Sequence, residues 1–217
     1  MSRPAHRALL AVLVVGVLAV AGAAVAVLGG SDAEVEPTGP TTPPTVAATP
    51  LADLDTRTTA IARASFCDAL PPEVVERALG GPATETTSYD DGEPARVTGR
   101  VRDVAHEFGC GWSSATSSAR AWVFAPPVTR ASATDLVSGA ARQRGCTRVD
   151  GASPYGAPSV ALTCTTKRGE QVSFRGLFGD AWLTCELTAP ASASDDVVAR
   201  ADRWCAAVVN AASTPAG

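Results

Sequence analysis

The chain has 217 residues and a mass of 22.0 kDa, with 18 Lys and Arg against 22 Asp and Glu for a formal charge of −4. That acidic balance argues against nucleic acid as a partner. His6 and His106 are the only histidines and Lys167 is the only lysine, which leaves little material for acid–base catalysis.

Residues 8–28 hold no charged or strongly polar side chain. At about 1.5 Å per residue such a helix spans about 30 Å, the hydrocarbon thickness of a bilayer, so a transmembrane helix is expected there as the contact with the membrane. Arg3, His6 and Arg7 precede it and no acid does, which places residues 1–7 in the cytoplasm and the C-terminal domain outside the cell membrane. Ser31-Asp32-Ala33 offers small residues at the positions a signal peptidase reads, so secretion after cleavage is the alternative. Residues 29–50 form a linker that holds five prolines and no aromatic residue, a composition that cannot bury enough surface to fold. In polyproline II it reaches about 60 Å from the membrane.

An extracytoplasmic domain is expected over residues 51–212, with a flexible C-terminus at 213–217. Leu70 to Gly80 reads as a short helix, with prolines at its start, acids in its first turn, Arg77 in its last and glycine beyond its end. Residues 82–95 read as a loop and Arg96 to Val104 as an edge strand. Gly109 to Ser113 and Ala119 to Ala125 flank a turn-like Ser114 to Ser118 and predict a β-hairpin. A second helix is expected from about Ala133 to Arg144, with Ser132 and Asp135 as its capping box and Gly145 as its stop.

Three strands follow in a meander, Ser159 to Thr166, Glu170 to Phe178 and Ala181 to Thr188, with Gly179-Asp180 as a tight two-residue turn. A last helix starts at Ser194, and its apolar positions from Val197 to Val209 recur at helical spacing. The predicted fold class is α+β: an antiparallel sheet of about five strands with helices packed on one face.

Cys67, Cys110, Cys146, Cys164, Cys185 and Cys205 all lie beyond the apolar run, and an even number on the oxidising side of a membrane signals a disulfide framework. Without C-x-x-C spacing and with one external imidazole, no metal site is expected. Cys164 follows Val160 and Leu162 on one strand face, Cys185 lies between Leu183 and Leu187, and Cys205 joins the buried stripe of the last helix. These directions predict Cys67–Cys110, Cys146–Cys164 and Cys185–Cys205, each tying a helix or helix end to a strand.

Cys67-Asp68-Ala69-Leu70 leading into a helix that ends Ala78-Leu79-Gly80, with Gly109-Cys110-Gly111-Trp112 opening a hairpin, resembles a family of exported actinobacterial proteins of unknown function, many of them lipoproteins. The resemblance covers about residues 65–210. It implies an exported, sensor-like α+β ectodomain and transfers no catalytic residue; the family's lipid-attachment cysteine is absent here.

No chemistry-bearing motif stands out. His106 beside Glu107 has no nucleophile elbow to serve, and Asp90, Asp91 and Glu93 lack the alternating ligands of a calcium loop. No catalytic residue and no cofactor is expected. Arg142, Arg144 and Arg148 at the end of the second helix, and Arg96, Arg100 and Arg102 on one side of an alternating strand, suit an anionic wall polymer or lipid head group. Trp122 and Phe124 share one strand face and Trp182 opposes the core face of its own strand, so these three are the aromatic candidates for an exposed binding surface. The expected function is a membrane-anchored, non-enzymatic domain that binds a cell-wall polymer, a lipid head group or an envelope protein. The alternative is an envelope enzyme or accessory subunit.

Overall fold

The structure, a computed structural model, describes residues 49–98, 101–191 and 196–213. The expected membrane helix at 8–28, the linker as far as residue 48 and Arg100 lie outside the described residues. Among the described residues no helix is long and apolar enough to cross a membrane.

The domain is an α+β sandwich of three layers. Its centre is an antiparallel seven-stranded sheet, with strands β1 (Glu85–Tyr89), β4 (Glu107–Ser113), β5 (Ser118–Phe124), β6 (Cys146–Arg148), β7 (Ser159–Thr166), β8 (Gly169–Phe178) and β9 (Ala181–Ala189) in spatial order β1-β4-β5-β9-β8-β7-β6. A separate two-stranded hairpin, β2 (Pro94–Thr98) and β3 (Val101–Val104), rises between β1 and β4. The sheet thus has seven strands where about five are predicted. The two extra ones escape pattern reading for a physical reason: β1 is an exposed edge strand of polar residues, and β6 has only three residues on the opposite edge. Arg96 to Val104 is likewise a hairpin and not one strand, and Arg96 faces Arg102 across its ladder.

On one face lie helices α1 (Pro72–Leu79) and α3 (Val197–Ala212). Helix α1 begins with Pro72 at its first position and ends at Gly80, whose φ of 73° is the left-handed cap that only glycine adopts without strain. Helix α3 is capped by Asp196, whose carboxylate accepts hydrogen bonds from the Val198 and Ala199 amides at 2.9 and 3.3 Å. Its stripe of Val197, Ala201, Trp204, Cys205, Val208 and Val209 packs on Leu183, Cys185 and Leu187 of β9 and on Val172 and Phe174 of β8. Trp204 meets Trp112 of β4 edge to face, with centroids 5.5 Å apart.

Helix α2 (Arg130–Ala141) lies on the other face, which corrects the expectation of helices on one side only. The alternation of the meander forces this arrangement. Val160, Leu162 and Cys164 of β7, Leu177 of β8 and Trp182 of β9 point away from α3, and this second apolar patch is covered by Ala133, Leu136, Val137 and Ala140. Helix α2 is capped by Thr129, whose hydroxyl accepts from the Ser132 amide at 3.1 Å, so it begins one turn before the expected Ser132–Asp135 box.

All three disulfides pair as predicted: Cys67–Cys110, Cys146–Cys164 and Cys185–Cys205. Cys185–Cys205 ties β9 to α3, and Cys67–Cys110 ties the short 3₁₀ turn before α1 to β4. Cys146 is already in a strand, directly opposite Cys164, so that bridge joins β6 to β7 and not a helix end to the sheet.

Candidate functional site

The α2 face of the sheet is only partly covered. Helix α2 spans β6, β7 and β8, and among the described residues no helix lies on this side of β4 and β5, whose Trp122, Phe124, Arg120 and Glu107 stay half-buried. Between the helix and these strands runs a groove of about 880 Å³. Its helix wall is Ser132, Asp135, Leu136, Gly139 and Ala140, which share one face of α2, with Gln143 just beyond the helix end. The strand wall is Trp122 and Phe124 of β5, both half-buried, and the floor is Trp182, Thr184 and Arg175.

Strand register builds this site. Trp122 pairs with Thr184, and Thr184 with Arg175, so one residue from each of three adjacent strands lines up across the floor. The next rung holds Arg120, Glu186 and Ser173, and the next Ser118, Thr188 and Gln171. These next rungs along the strands floor a second recess of about 370 Å³, adjacent to the groove and lined by Arg120, Gln171, Glu186, Ser118 and Thr188 and by Thr166, Lys167 and Arg168 of the β7–β8 turn. Two contacts join the halves: the Arg120 guanidinium stacks 5.2 Å from the Trp122 ring centroid, and Arg175 Nη2 donates to Glu186 Oε1 at 3.4 Å.

Glu186 is 9% exposed, in a strand buried along its whole length. Its carboxylate also accepts from Gln171 Nε2 at 3.2 Å. Burial pushes the Glu186 carboxyl above its ordinary value, and Arg175 and then Arg120 offset this in part. Glu107 on β4 is raised as well, mainly by burial, against the hydrogen bond it accepts from the Tyr89 hydroxyl at 2.6 Å and the charge of Arg120. Tyr89 lies close over Gly109, where a β-carbon would stand 2.2 Å from its ring, so the glycine lets the edge of the face stay flat.

A carboxyl raised by folding favours the native state most at low pH. The contribution of Glu186 is fully present below about 4.5, its ordinary value, and is lost as pH rises through its folded value. Glu186→Gln is therefore expected to lessen the fall in melting temperature between about pH 4 and pH 8, read by thermal denaturation in parallel buffers. An unchanged pH profile would contradict a buried, titrating Glu186.

Of the residues proposed from sequence, Trp122, Phe124 and Trp182 are brought together in the groove. Trp182 is not exposed as expected: at 3% it lies beneath α2 and contributes floor. Arg142, Arg144 and Arg148 are exposed and are not among the lining residues, although Gln143 between the first two is. His106 is exposed, with Nδ1 3.9 Å from Asp91 Oδ1, and belongs to neither half of the groove. Asp90 is engaged by the Ser65 hydroxyl, and among the described residues no group of three His, Cys, Asp or Glu is placed to hold a metal ion. Arg120, Arg175, Gln171 and Glu186 carry no motif in the sequence; the one signal is the alternation that puts Arg120, Trp122 and Phe124 on one face.

Compared with known protein families, characterised proteins and solved structures, the chain matches none.

Proposed function

We propose that the protein is a membrane-anchored, extracytoplasmic binding domain that holds a cell-envelope component in the groove between α2 and the open face of the sheet. The observation that carries this reading is the groove itself. An aromatic wall, a helix wall of mixed polarity and Arg175, itself paired with Glu186, converge from α2, β5, β8 and β9 on a cleft of ligand size. His106 lies outside the groove, exposed and beside Asp91. Three disulfides suit an oxidising location. The apolar run at 8–28 and the basic residues before it supply the anchor, and the Pro-rich linker supplies reach from the membrane. The segments that carry the resemblance to exported actinobacterial proteins, around Cys67 and Cys110, are bridged to each other and sit under the opposite face, where they support the scaffold.

Gly139 offers the test. A β-carbon there would meet nothing within 4 Å, so a large side chain can enter the groove without disturbing the core. Gly139→Trp is expected to abolish co-sedimentation of the protein with isolated cell envelopes while Gly139→Ala retains it, both keeping the wild-type melting temperature or better. Equal sedimentation of the two variants would place binding outside the groove.

A further inference from the structure

The two halves of the groove differ in chemistry, and this difference identifies the class of ligand. One half is aromatic: Trp122 and Phe124 face the helix across Trp182. The other is basic. Arg120, Lys167 and Arg168 surround it, with Arg175 at the junction, and Glu186 is the one acid in its lining. That acid is already engaged by Gln171 and Arg175, so the exposed charge of this half is positive, on a chain whose net charge is −4. Along β9 the two halves run from Trp182 to Thr188, about 20 Å at the rise of a strand.

The floor is a sheet face, not an edge. Its backbone groups are spent in the ladder with neighbouring strands, so a peptide cannot add to it as a strand, and binding must come from side chains. Besides the aromatic and charged groups, the polar side chains available are Ser132, Asp135 and Gln143 on the helix wall and Ser118, Thr188 and Gln171 on the floor. An acyl chain would leave them unused. A hydroxyl-rich chain can hydrogen-bond to the hydroxyls and to Gln143, with its apolar ring faces against the aromatic wall.

Resting on the proposed binding role of this groove, we infer that the ligand is an acidic glycan strand. Its sugar rings lie along Trp122 and Phe124, and its acid groups meet Arg120, Lys167 and Arg168.

The test uses the full chain in nanodiscs of neutral lipid. Binding of oligogalacturonate, its fully methyl-esterified neutral form and vesicles with anionic lipid is measured at low and high salt. The acidic oligomer is expected to bind about tenfold tighter than the ester, the factor expected from two exposed ion pairs, and high salt should erase the difference. Lys167→Ala with Arg168→Ala should reduce it to about twofold at low salt, and Gly139→Trp should abolish binding of both oligomers. Equal affinity for acid and ester, or binding of anionic vesicles alone, would overturn the acidic glycan while leaving the groove reading in place, provided that Gly139→Trp still blocks whichever ligand binds. Binding that survives Gly139→Trp would overturn both.

Discussion

Replacing Gly176 with alanine is expected to lower stability by at least about 3 kcal/mol, the upper range of overpacking, and to drop the melting temperature by about 10 °C. Gly176 lies on the α3 side of β8, opposite Ser159 and Leu183. The loop between β6 and β7 crosses it so closely that a β-carbon would stand 1.6 Å from the Tyr155 carbonyl oxygen. That oxygen is backbone and cannot swing aside. The close crossing is what seats the Tyr155 ring, 1% exposed, against Phe174 and Phe178, with centroids 5.9 and 5.1 Å away. Gly179 separates sterics from backbone strain. Its φ is 63° in the β8–β9 turn, with nothing within 4 Å of a β-carbon, so Gly179→Ala should cost only about 1 kcal/mol. Similar losses for the two variants in parallel thermal melts would contradict the crowded crossing.

Cys205→Ala should cost about 2–5 kcal/mol and leave Cys185 as a free thiol. Both sulfurs sit in the main core at 0% exposure, where α3 crosses β9. Loop-closure entropy alone does not distinguish this bridge from Cys146–Cys164, since the separations are 20 and 18 residues. Packing does: Cys146 is half-buried on a short edge strand, so Cys146→Ala loses less packing than Cys205→Ala. Chemical denaturation of the two variants is expected to rank Cys205→Ala as the more damaging. The reverse order would mean that α3 holds to the sheet without its disulfide.

The meander and α3 are legible in the sequence because burial is one-sided there. Leu183, Cys185 and Leu187 alternate along β9, and the stripe from Val197 to Val209 has helical period, so the Cys185–Cys205 pairing follows from direction alone. Edges obey no such rule. In β1, Thr86 and Thr87 are both exposed, so no alternation marks the strand. Two-sided burial hid the third layer: Val160, Leu162 and Cys164 share a face, but nothing local says that this face opposes that of Cys185. The few apolar residues of α2 gave little sign that it covers that patch. The aromatic half of the groove was visible because Trp122 and Phe124 are two apart in one strand. Its charged half was not, because Arg120, Lys167, Arg175 and Glu186 come from β5, the β7–β8 turn, β8 and β9 and meet only through register.

The four tryptophans divide evenly between scaffold and groove, which makes their indole N–H signals the most direct probe of the central claim. Trp204 of α3 and Trp112 of β4 meet edge to face on the α3 side of the sheet, while Trp122 and Trp182 line the groove beside α2. Solubilised envelope glycan titrated into the ¹⁵N-labelled protein should shift the Trp122 and Trp182 indole resonances and leave those of Trp112 and Trp204 in place. Shifts confined to Trp112 and Trp204, or no indole shift under saturating binding, would contradict the groove as the binding site.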